Sequence, residues 1–392
     1  MPAHAPLSAW LLCLTILSIL SGCVSNAHRT RPAASGIDAS VVIDTRTLLD
    51  LPRLVERIAD RRVIYVGETH DRYEHHRVQL EIIRQLHTRG LPLTIALEFF
   101  QQPYQPWLDR WVAGEIDEAE MLRRTEYFQR WRFDYRLYRP ILRFAREQRI
   151  PLVALNVPRE VTEAVSRKGF EGLDASQRRW VPNSVDTSDM DYRQRLEEVF
   201  SQHPARARKK AFQHFYEAQL LWDEGMAARL ADYLRKHPKR TVVVLAGSGH
   251  VAFRRGIPDR LKRRLAVDDA VIVLGAESLT APEVADYVVA PVPQALPPRG
   301  LLGIFMEDTA RGVLVAGFSR ESAARRAGLR KGDRLLAIDG HSVERTVDVR
   351  LALLDARPGQ RVVVEIERGQ GRAATRRRYT VELGAPPAPA HP

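Results

Sequence analysis

Side chains that could do chemistry gather where short apolar runs of the sequence end. Glu68 and His70 follow one run, Glu98 ends the next, and His250 follows a later one. Both histidines stand in a Gly-x-x-His turn, where the glycine lets the backbone leave a strand sharply. Two imidazoles and two carboxylates facing one cavity would suit a divalent metal such as Zn²⁺ or Mn²⁺, or a haem iron. A lone histidine more often caps a helix or binds a carbonyl, but the repeated spacing favours a functional pair.

The sequence elements that carry these residues predict an α/β domain. The apolar runs are short enough to be strands buried on both faces, and longer segments with helical spacing separate them. This pattern predicts a mostly parallel sheet flanked by helices, with polar residues at the carboxyl ends of its strands, where ligand crevices form. The predicted strands are 63–66, 93–97, 152–155, 242–246 and 271–274, and the predicted helices are 78–86 and 212–234. His75 and His76 fall just after His70 and are interpreted as solvated helix residues.

Composition limits the classes of function. The chain has 392 residues, of which 45% are hydrophobic and 28% charged, so most of it should fold. Its net charge is +12 at pH 7, yet no single Lys/Arg block stands out. We therefore predict a solvated cationic surface and no nucleic-acid binding.

The N-terminal segment has the features of an export signal. The apolar run 7–20 is too short to span a bilayer but suits a signal peptide over residues 1–22. Leu20, Ser21 and Gly22 before Cys23 resemble a bacterial lipobox, which implies that Cys23 carries lipid such as palmitate and anchors the chain to a membrane. Val24 after it favours the outer membrane, with the chain facing the periplasm. The mature chain would then hold no thiol for a disulfide, a metal or a nucleophile.

Proline-rich stretches divide the rest of the chain. We predict a flexible tether over 23–39, a first domain over 40–290, a semi-rigid linker over 291–298, a second domain over 299–384 and a frayed tail over 385–392.

The first domain resembles the ChaN-like haem-binding lipoproteins of the TIKI/TraB-like superfamily. The resemblance rests on GETH at 67–70, ALEFF at 96–100, the stretch 218–227 and GSGHV at 247–251, in the family's order. It implies an iron-regulated envelope lipoprotein for haem or iron uptake, with a tyrosine and a histidine as axial ligands in paired subunits. A homodimer and a non-enzymatic role are therefore expected.

Haem requires an axial donor, apolar walls and cations for its propionates. The chain has residues of all three kinds, although most such residues serve as ordinary core or surface, and no tyrosine is assigned as the ligand. The wall candidates are Phe99, Phe100, Trp107 and Trp131, the cations are Arg130, Arg132 and Arg136, and the tyrosines are Tyr104, Tyr127, Tyr135, Tyr138, Tyr192 and Tyr216.

Two other interpretations stay open. The related metalloproteases of the superfamily imply a metal-dependent hydrolase, with His70 and His250 as ligands and Glu68 and Glu98 as third ligand and general base. Alternatively, the protein is a non-catalytic interaction protein of the cell envelope.

The second domain resembles a bacterial PDZ domain. The resemblance rests on the segment 322–333 and the Asp339, Gly340 turn. It predicts a small β-rich fold that binds a protein C-terminus or peptide as an added strand. The predicted peptide site is the loop of Gly300, Leu301, Leu302 and Gly303 with Ile304, and Leu351 on a helix over 347–354. A PDZ fold used only for packing or dimerisation is the alternative.

Overall fold

The computed structural model describes residues 45–201, 209–281, 283–369, 371 and 374–386. The predicted signal peptide, Cys23, the tether and most of the tail lie outside the described residues. Across the described part of the chain, no helix combines the length and hydrophobicity needed to cross a membrane. The chain divides into two compact units between Ala295 and Leu296.

The first unit is built on a parallel six-stranded sheet with the order β3-β2-β4-β1-β5-β6. Its four central strands β1, β2, β4 and β5 are buried almost throughout, which explains their continuous apolar runs. The strands are β1 (Val63–Glu68), β2 (Leu93–Gln101), β3 (Leu152–Asn156), β4 (Thr241–Gly247), β5 (Asp269–Leu274) and β6 (Tyr287–Val289). The predicted fold class is confirmed, with β6 as an addition.

Helices cover this sheet. The long helix α10 packs against α7, α11 and β3, and its residues Leu230 and Leu234 join the core formed by β1, β4 and β5. The helices are α1 (Leu51–Ile58), α2 (Tyr73–Thr88), α3 (Gln105–Ala113), α4 (Glu118–Arg124), α5 (Tyr127–Arg130), α6 (Tyr135–Glu147), α7 (Arg159–Lys168), α8 (Ala175–Arg178), α9 (Met190–Ser201), α10 (Lys209–Lys236) and α11 (Ile257–Arg264).

The order of the sheet brings the polar turns together. Strand β4 lies between β2 and β1 in parallel register, with Leu97 opposite Leu245 and Glu68 opposite Gly247. The carboxyl ends of three adjacent strands therefore meet at one edge. Strand β2 continues past its pairing with β4, and a register shift after Leu97 frees Glu98 from the ladder.

The second unit is an antiparallel sheet with two short helices. The strand order is β12-β11-β9-β8-β7, and β10 pairs with β9. Strand β7 is thus an edge strand. The elements are β7 (Ile304–Thr309), β8 (Gly312–Phe318), α12 (Ala323–Arg326), β9 (Arg334–Ile338), β10 (His341–Ser342), α13 (Thr346–Ala352), β11 (Arg361–Arg368) and β12 (Thr375–Glu382).

Strand β7 begins only at Ile304, after the loop 300–303. Gly303 has a φ of 71°, a left-handed conformation that interrupts an extended strand and that glycine adopts readily.

Candidate functional site

The site lies at the edge where β1, β2 and β4 end, and Glu98 joins two of these strands. Its Oε2 accepts a hydrogen bond from the backbone N–H of Gly247 at 2.7 Å. Its Oε1 lies 3.4 Å from Nε2 of His250. The side chain is buried, so Glu98 holds the β4 turn and its histidine beside the end of β2.

His70 is paired with Glu68. Nδ1 of His70 lies 2.6 Å from Oε1 of Glu68, and both side chains are 3% exposed. Among the described residues, neither Nε2 of His70 nor Oε2 of Glu68 has a hydrogen-bond partner, although both atoms are buried. Buried polar atoms without a hydrogen-bond partner are rare in folded proteins and point to a function or a ligand. Burial opposes charge on the imidazole, but Glu68 outweighs it and raises the pKa of His70 above its ordinary value.

Aromatic rings enclose His70. Its ring centroid lies 4.8 Å from that of Trp131 and 4.7 Å from that of Phe133. The hydroxyl of Tyr138 donates to the carbonyl of His70 at 3.3 Å, and its ring lies 4.2 Å from that of Phe99. An apolar wall therefore surrounds one free imidazole nitrogen.

His250 has a different environment because carboxylates lie at both ring nitrogens. Nδ1 lies 2.6 Å from Oδ1 of Asp223, and Nε2 faces Glu98. Burial alone would disfavour the charged ring, but Glu98 and Asp223 reverse this effect and raise the pKa of His250 to about 10. Burial would likewise raise the pKa of Glu98, yet His250 and His70 lower it to about 2. His250 is thus the cation of a buried carboxylate–imidazolium–carboxylate row.

Asp223 is a site residue to which the sequence assigned no role, and Tyr192, one of the tyrosines considered as a haem donor, bonds to it instead. The Tyr192 hydroxyl donates to Oδ2 of Asp223 at 2.7 Å, and the Arg260 guanidinium lies 4.2 Å from the Tyr192 ring centroid. Asp223 is 1% exposed in the middle of α10. A carboxylate next to Leu221 and Trp222 in an apolar helical stretch was the available signal, and it was used only as part of the family resemblance.

The interpretation of His75 and His76 as solvated residues is wrong. Both are buried, and each satisfies a backbone group of the β1 turn. Nδ1 of His75 accepts from the Thr69 N–H at 3.0 Å, and Nε2 of His76 lies 3.0 Å from the His70 carbonyl. They therefore support the turn that carries His70.

The tyrosines proposed as phenolate donors are mostly buried. Burial raises the pKa of five of them, which disfavours the phenolate, and Tyr104 is half-buried with a pKa of about 12 from burial and its bond to Glu126. The buried ones are Tyr127, Tyr135, Tyr138, Tyr192 and Tyr216.

The cations and the outer aromatic residue proposed around haem mostly have partners already. Arg130 is paired with Glu126 and Glu160, and Arg136 with Asp134. Trp107 is stacked by Arg110 and Arg124. Arg132 is exposed and forms no ion pair within the described residues.

The four predicted metal ligands, Glu68, His70, Glu98 and His250, come together as hydrogen-bonded pairs. Within the described ranges, no group of three or more His, Cys, Asp or Glu side chains is placed to hold a metal ion. The geometry therefore does not support the predicted Zn²⁺ or Mn²⁺ site.

In the second unit, two of the four amides of the predicted loop 300–303 already donate hydrogen bonds within the protein. The Gly300 N–H donates to the Ala356 carbonyl at 2.7 Å, and the Leu301 N–H donates to Gly384 at 2.8 Å. The Leu302 and Gly303 amides donate no hydrogen bond to any described residue. The part of the loop that can hold an anion therefore begins at Leu302. Leu351 is half-buried on α13, which contacts β7.

Known families match both units. A family model described as "Haem-binding uptake, Tiki superfamily, ChaN" matches residues 54–261, and a PDZ model matches residues 300–376. The first of these ranges is more than half of the chain.

Solved structures are similar to parts of the chain. The structure "Cofacial heme binding to ChaN of Campylobacter jejuni" is 19% identical, covers 61% of this chain and 91% of its own, and has a TM-score of 0.51, so the two share a fold. The structure "HtrA-type protease AlgW with decapeptide" is 27% identical over 24% of this chain and 31% of its own, with a TM-score of 0.21.

A curated relative is "Protein RETICULATA-RELATED 5, chloroplastic" of Arabidopsis thaliana. It is 29% identical over 150 residues, which are 36% of this chain. The chain spans only 20% of the length of that relative.

Proposed function

Because the chain belongs to the haem-binding uptake family of the Tiki superfamily that includes ChaN, we propose that its first unit binds haem for haem or iron uptake at the cell envelope. One observation carries the proposal. Nε2 of His70 is a buried imidazole nitrogen without a partner among the described residues, and its ring is oriented by Glu68. A histidine that ligates a metal typically has its other nitrogen bonded to such a carboxylate.

The two histidines then have different roles. His70 offers a free nitrogen beside an apolar wall, as an axial ligand requires. Both nitrogens of His250 already face carboxylates, so His250 balances the charge of Glu98 and Asp223 instead. Haem, when bound, would bring the iron that His70 ligates.

Access to His70 requires a local movement. The side chain is 3% exposed, and Trp131 and Phe133 lie against it. Both belong to the short connection between α5 and α6, so a displacement of residues 131–134 would open the ring without unfolding the sheet.

A haem titration of the full chain tests this role. We expect a saturable Soret shift that is strongly reduced in His70→Ala and only moderately in His250→Ala. His341→Ala, an exposed histidine in the second unit, is the control and should match the wild type. A wild-type protein that shows no Soret shift would overturn the proposal.

The envelope location rests on the sequence around Cys23. We propose that Cys23 is lipidated and holds the chain at the outer membrane, facing the periplasm. Cys23→Ala should release the protein from the membrane fraction. Pairing of subunits, which the family resemblance implies, should appear as a haem-dependent change in mass by light scattering.

A metal-dependent hydrolase is the second candidate. The observation in its favour is that the turns of His70 and His250 meet at one edge of the sheet, where Glu98 lies 3.4 Å from Nε2 of His250. The site would have to rearrange to hold a metal ion, because no group of the described residues is placed to do so. In this role, His70 and His250 would bind the metal, with Glu68 or Glu98 as general base. Tightly held metal in the purified protein, together with peptide or ester hydrolysis that both histidine variants lose, would support it.

The PDZ unit would bind the C-terminus of another protein. The free edge of β7 can accept a peptide as an added strand, and the Leu302 and Gly303 amides can hold its carboxylate.

A further inference from the structure

A strongly cationic segment follows β8 in the PDZ unit. Residues 319–331 contain five Lys or Arg residues and one carboxylate, Glu321. All five cations are exposed: Arg320, Arg325, Arg326, Arg330 and Lys331.

This segment is attached to the loop that would hold a peptide carboxylate. The Ser319 N–H donates to the Gly303 carbonyl at 2.9 Å, and the Ala324 N–H donates to the Leu302 carbonyl at 2.9 Å. The Ser322 hydroxyl also donates to Leu302 at 3.1 Å. Arg320 directly follows Ser319, and Arg325 directly follows Ala324, so both arginines lie next to residues whose N–H groups bond to the loop.

The nearest cations lack acidic partners. Within the described residues, the side chains of Arg320 and Arg325 form no ion pair, and Arg326 bonds only the Glu321 carbonyl. Cations on β11 and β12 differ, since Arg361 pairs with Glu382 and Arg378 with Glu365. The loop end of β7 therefore carries uncompensated positive charge.

The far end of β7 carries negative charge. Glu307 and Asp308 are exposed near the end of the strand. Asp308 accepts bonds from the Thr346 N–H at 2.7 Å and from the Thr346 hydroxyl at 3.0 Å, so β7 is bridged to the start of α13. The edge strand thus runs from a cationic end to an anionic end.

We propose that this PDZ unit selects protein C-termini that have acidic side chains beside an apolar last residue. The inference rests on the proposed peptide binding and names its specificity. A peptide added along β7 would place its last residues at Leu302 and Gly303, where Arg320 and Arg325 attract carboxylates. Residues further from its end would meet Glu307 and Asp308, which disfavour acidic side chains there.

Fluorescence anisotropy with the full chain tests this specificity. Three labelled peptides share a neutral body and end in Asp-Glu-Val, Asn-Gln-Val or Lys-Lys-Val. We expect the acidic peptide to bind about tenfold more tightly than the neutral one at low salt, and the basic one more weakly than either. The preference should shrink at about 0.5 M salt, where exposed charges are screened.

Variants locate the effect. The double variant Arg320→Glu, Arg325→Glu should reverse the preference, so that the basic peptide binds more tightly than the acidic one; the neutral peptide should bind more weakly than to the wild type, because it also ends in a carboxylate. The control Arg376→Glu, Arg377→Glu makes the same charge change on β12, the opposite edge of the sheet, and should keep the preference. An amidated acidic peptide should bind weakly, because the loop holds the terminal carboxylate.

The outcomes separate this inference from the peptide-binding role. If none of the peptides binds, the proposed peptide binding fails. If all three bind equally, or if Arg320 and Arg325 variants change nothing, peptide binding stands and the acidic selectivity is overturned. If anionic lipid vesicles bind through these arginines and the acidic peptide shows no preference, the segment is a membrane contact and the selectivity is likewise overturned.

Discussion

Nδ1 of His250 lies 2.6 Å from Oδ1 of Asp223, and this contact joins the turn after β4 to the middle of α10. The same carboxylate accepts the Tyr192 hydroxyl at 2.7 Å, and the other face of His250 meets Glu98. One buried row of side chains thus connects a helix to two strands. Its stability depends on every member having its partner, because each would be costly to bury alone.

Asp223→Ala should therefore lower stability sharply. The substitution leaves a buried imidazolium and a buried tyrosine hydroxyl without their acceptor, and breaking such a pair costs about 3–5 kcal/mol. Urea unfolding of the first unit, followed by tryptophan fluorescence, measures the loss. Asp232→Ala is the matched control on α10, since its side chain is 62% exposed and forms an ion pair with Arg235 on the surface. Asp232→Ala should lower the free energy of unfolding by less than about 1 kcal/mol. Equal losses of stability in the two variants would contradict the role of Asp223 in the buried row.

Gly256→Ala should displace the His250 turn. A Cβ at Gly256 would overlap the backbone carbonyl of His250, and neither backbone segment can rotate away as a side chain would. We expect a loss of stability above about 2 kcal/mol and an altered haem titration. Gly90→Ala is the control, because its φ of 76° disfavours alanine while no atom of the described residues lies within 4 Å of the new methyl group. Gly90→Ala should lower the free energy of unfolding by about 1–2 kcal/mol and leave the haem titration unchanged.

The sequence was sufficient to predict the sheet because its central strands are buried on both faces. The run 242–246 has no polar residue, and it lies within β4 with neighbours on both sides. The placement of Glu68, His70, Glu98 and His250 at one edge followed from the parallel arrangement alone. Strand β6 was missed because it has three half-buried residues at the edge of the sheet.

The partners within the site could not be predicted. Asp223 is 27 residues from His250 along the chain, and their contact depends on how α10 crosses the sheet. His75 and His76 lie in a mostly polar helix start, where exposure is the usual outcome, but the chain folds their rings under the β1 turn. Leu301 likewise pairs with Gly384, which is distant in the sequence, and the periodicity of the sequence does not reveal such a pairing.

Stability should fall as the pH rises above neutrality because of His250. Its folded pKa of about 10 lies above the ordinary 6.5, so its contribution is complete below pH 6.5 and is lost as the pH rises through about 10. Unfolding free energies at pH 6 and pH 9 should differ by a few kcal/mol in the wild type. In His250→Gln the difference should be much smaller, and a persistent difference would assign it to other groups.

Glu98 contributes to the stability of the folded protein at acidic pH. Its pKa of about 2 lies below the ordinary 4.5, so its contribution is present above pH 4.5 and is lost as the pH falls through about 2. Glu98→Gln should therefore remove part of the acid sensitivity between pH 5 and pH 2. Glu81→Gln, on the half-buried face of α2, is the control and should keep the wild-type profile. Identical acid profiles for wild type and Glu98→Gln would contradict the assignment.

Trp131→Ala should speed the association of haem with His70. The Trp131 ring lies 4.8 Å from that of His70 and is 8% exposed, so its removal opens a path to Nε2. Stopped-flow absorbance should show a faster rise of the Soret band, while loss of the buried ring lowers stability by about 3–5 kcal/mol. Trp107→Ala removes an indole that arginines cover elsewhere, and it should leave the rate unchanged. A slower rate or an unchanged rate in Trp131→Ala would show that haem does not approach His70 through this wall.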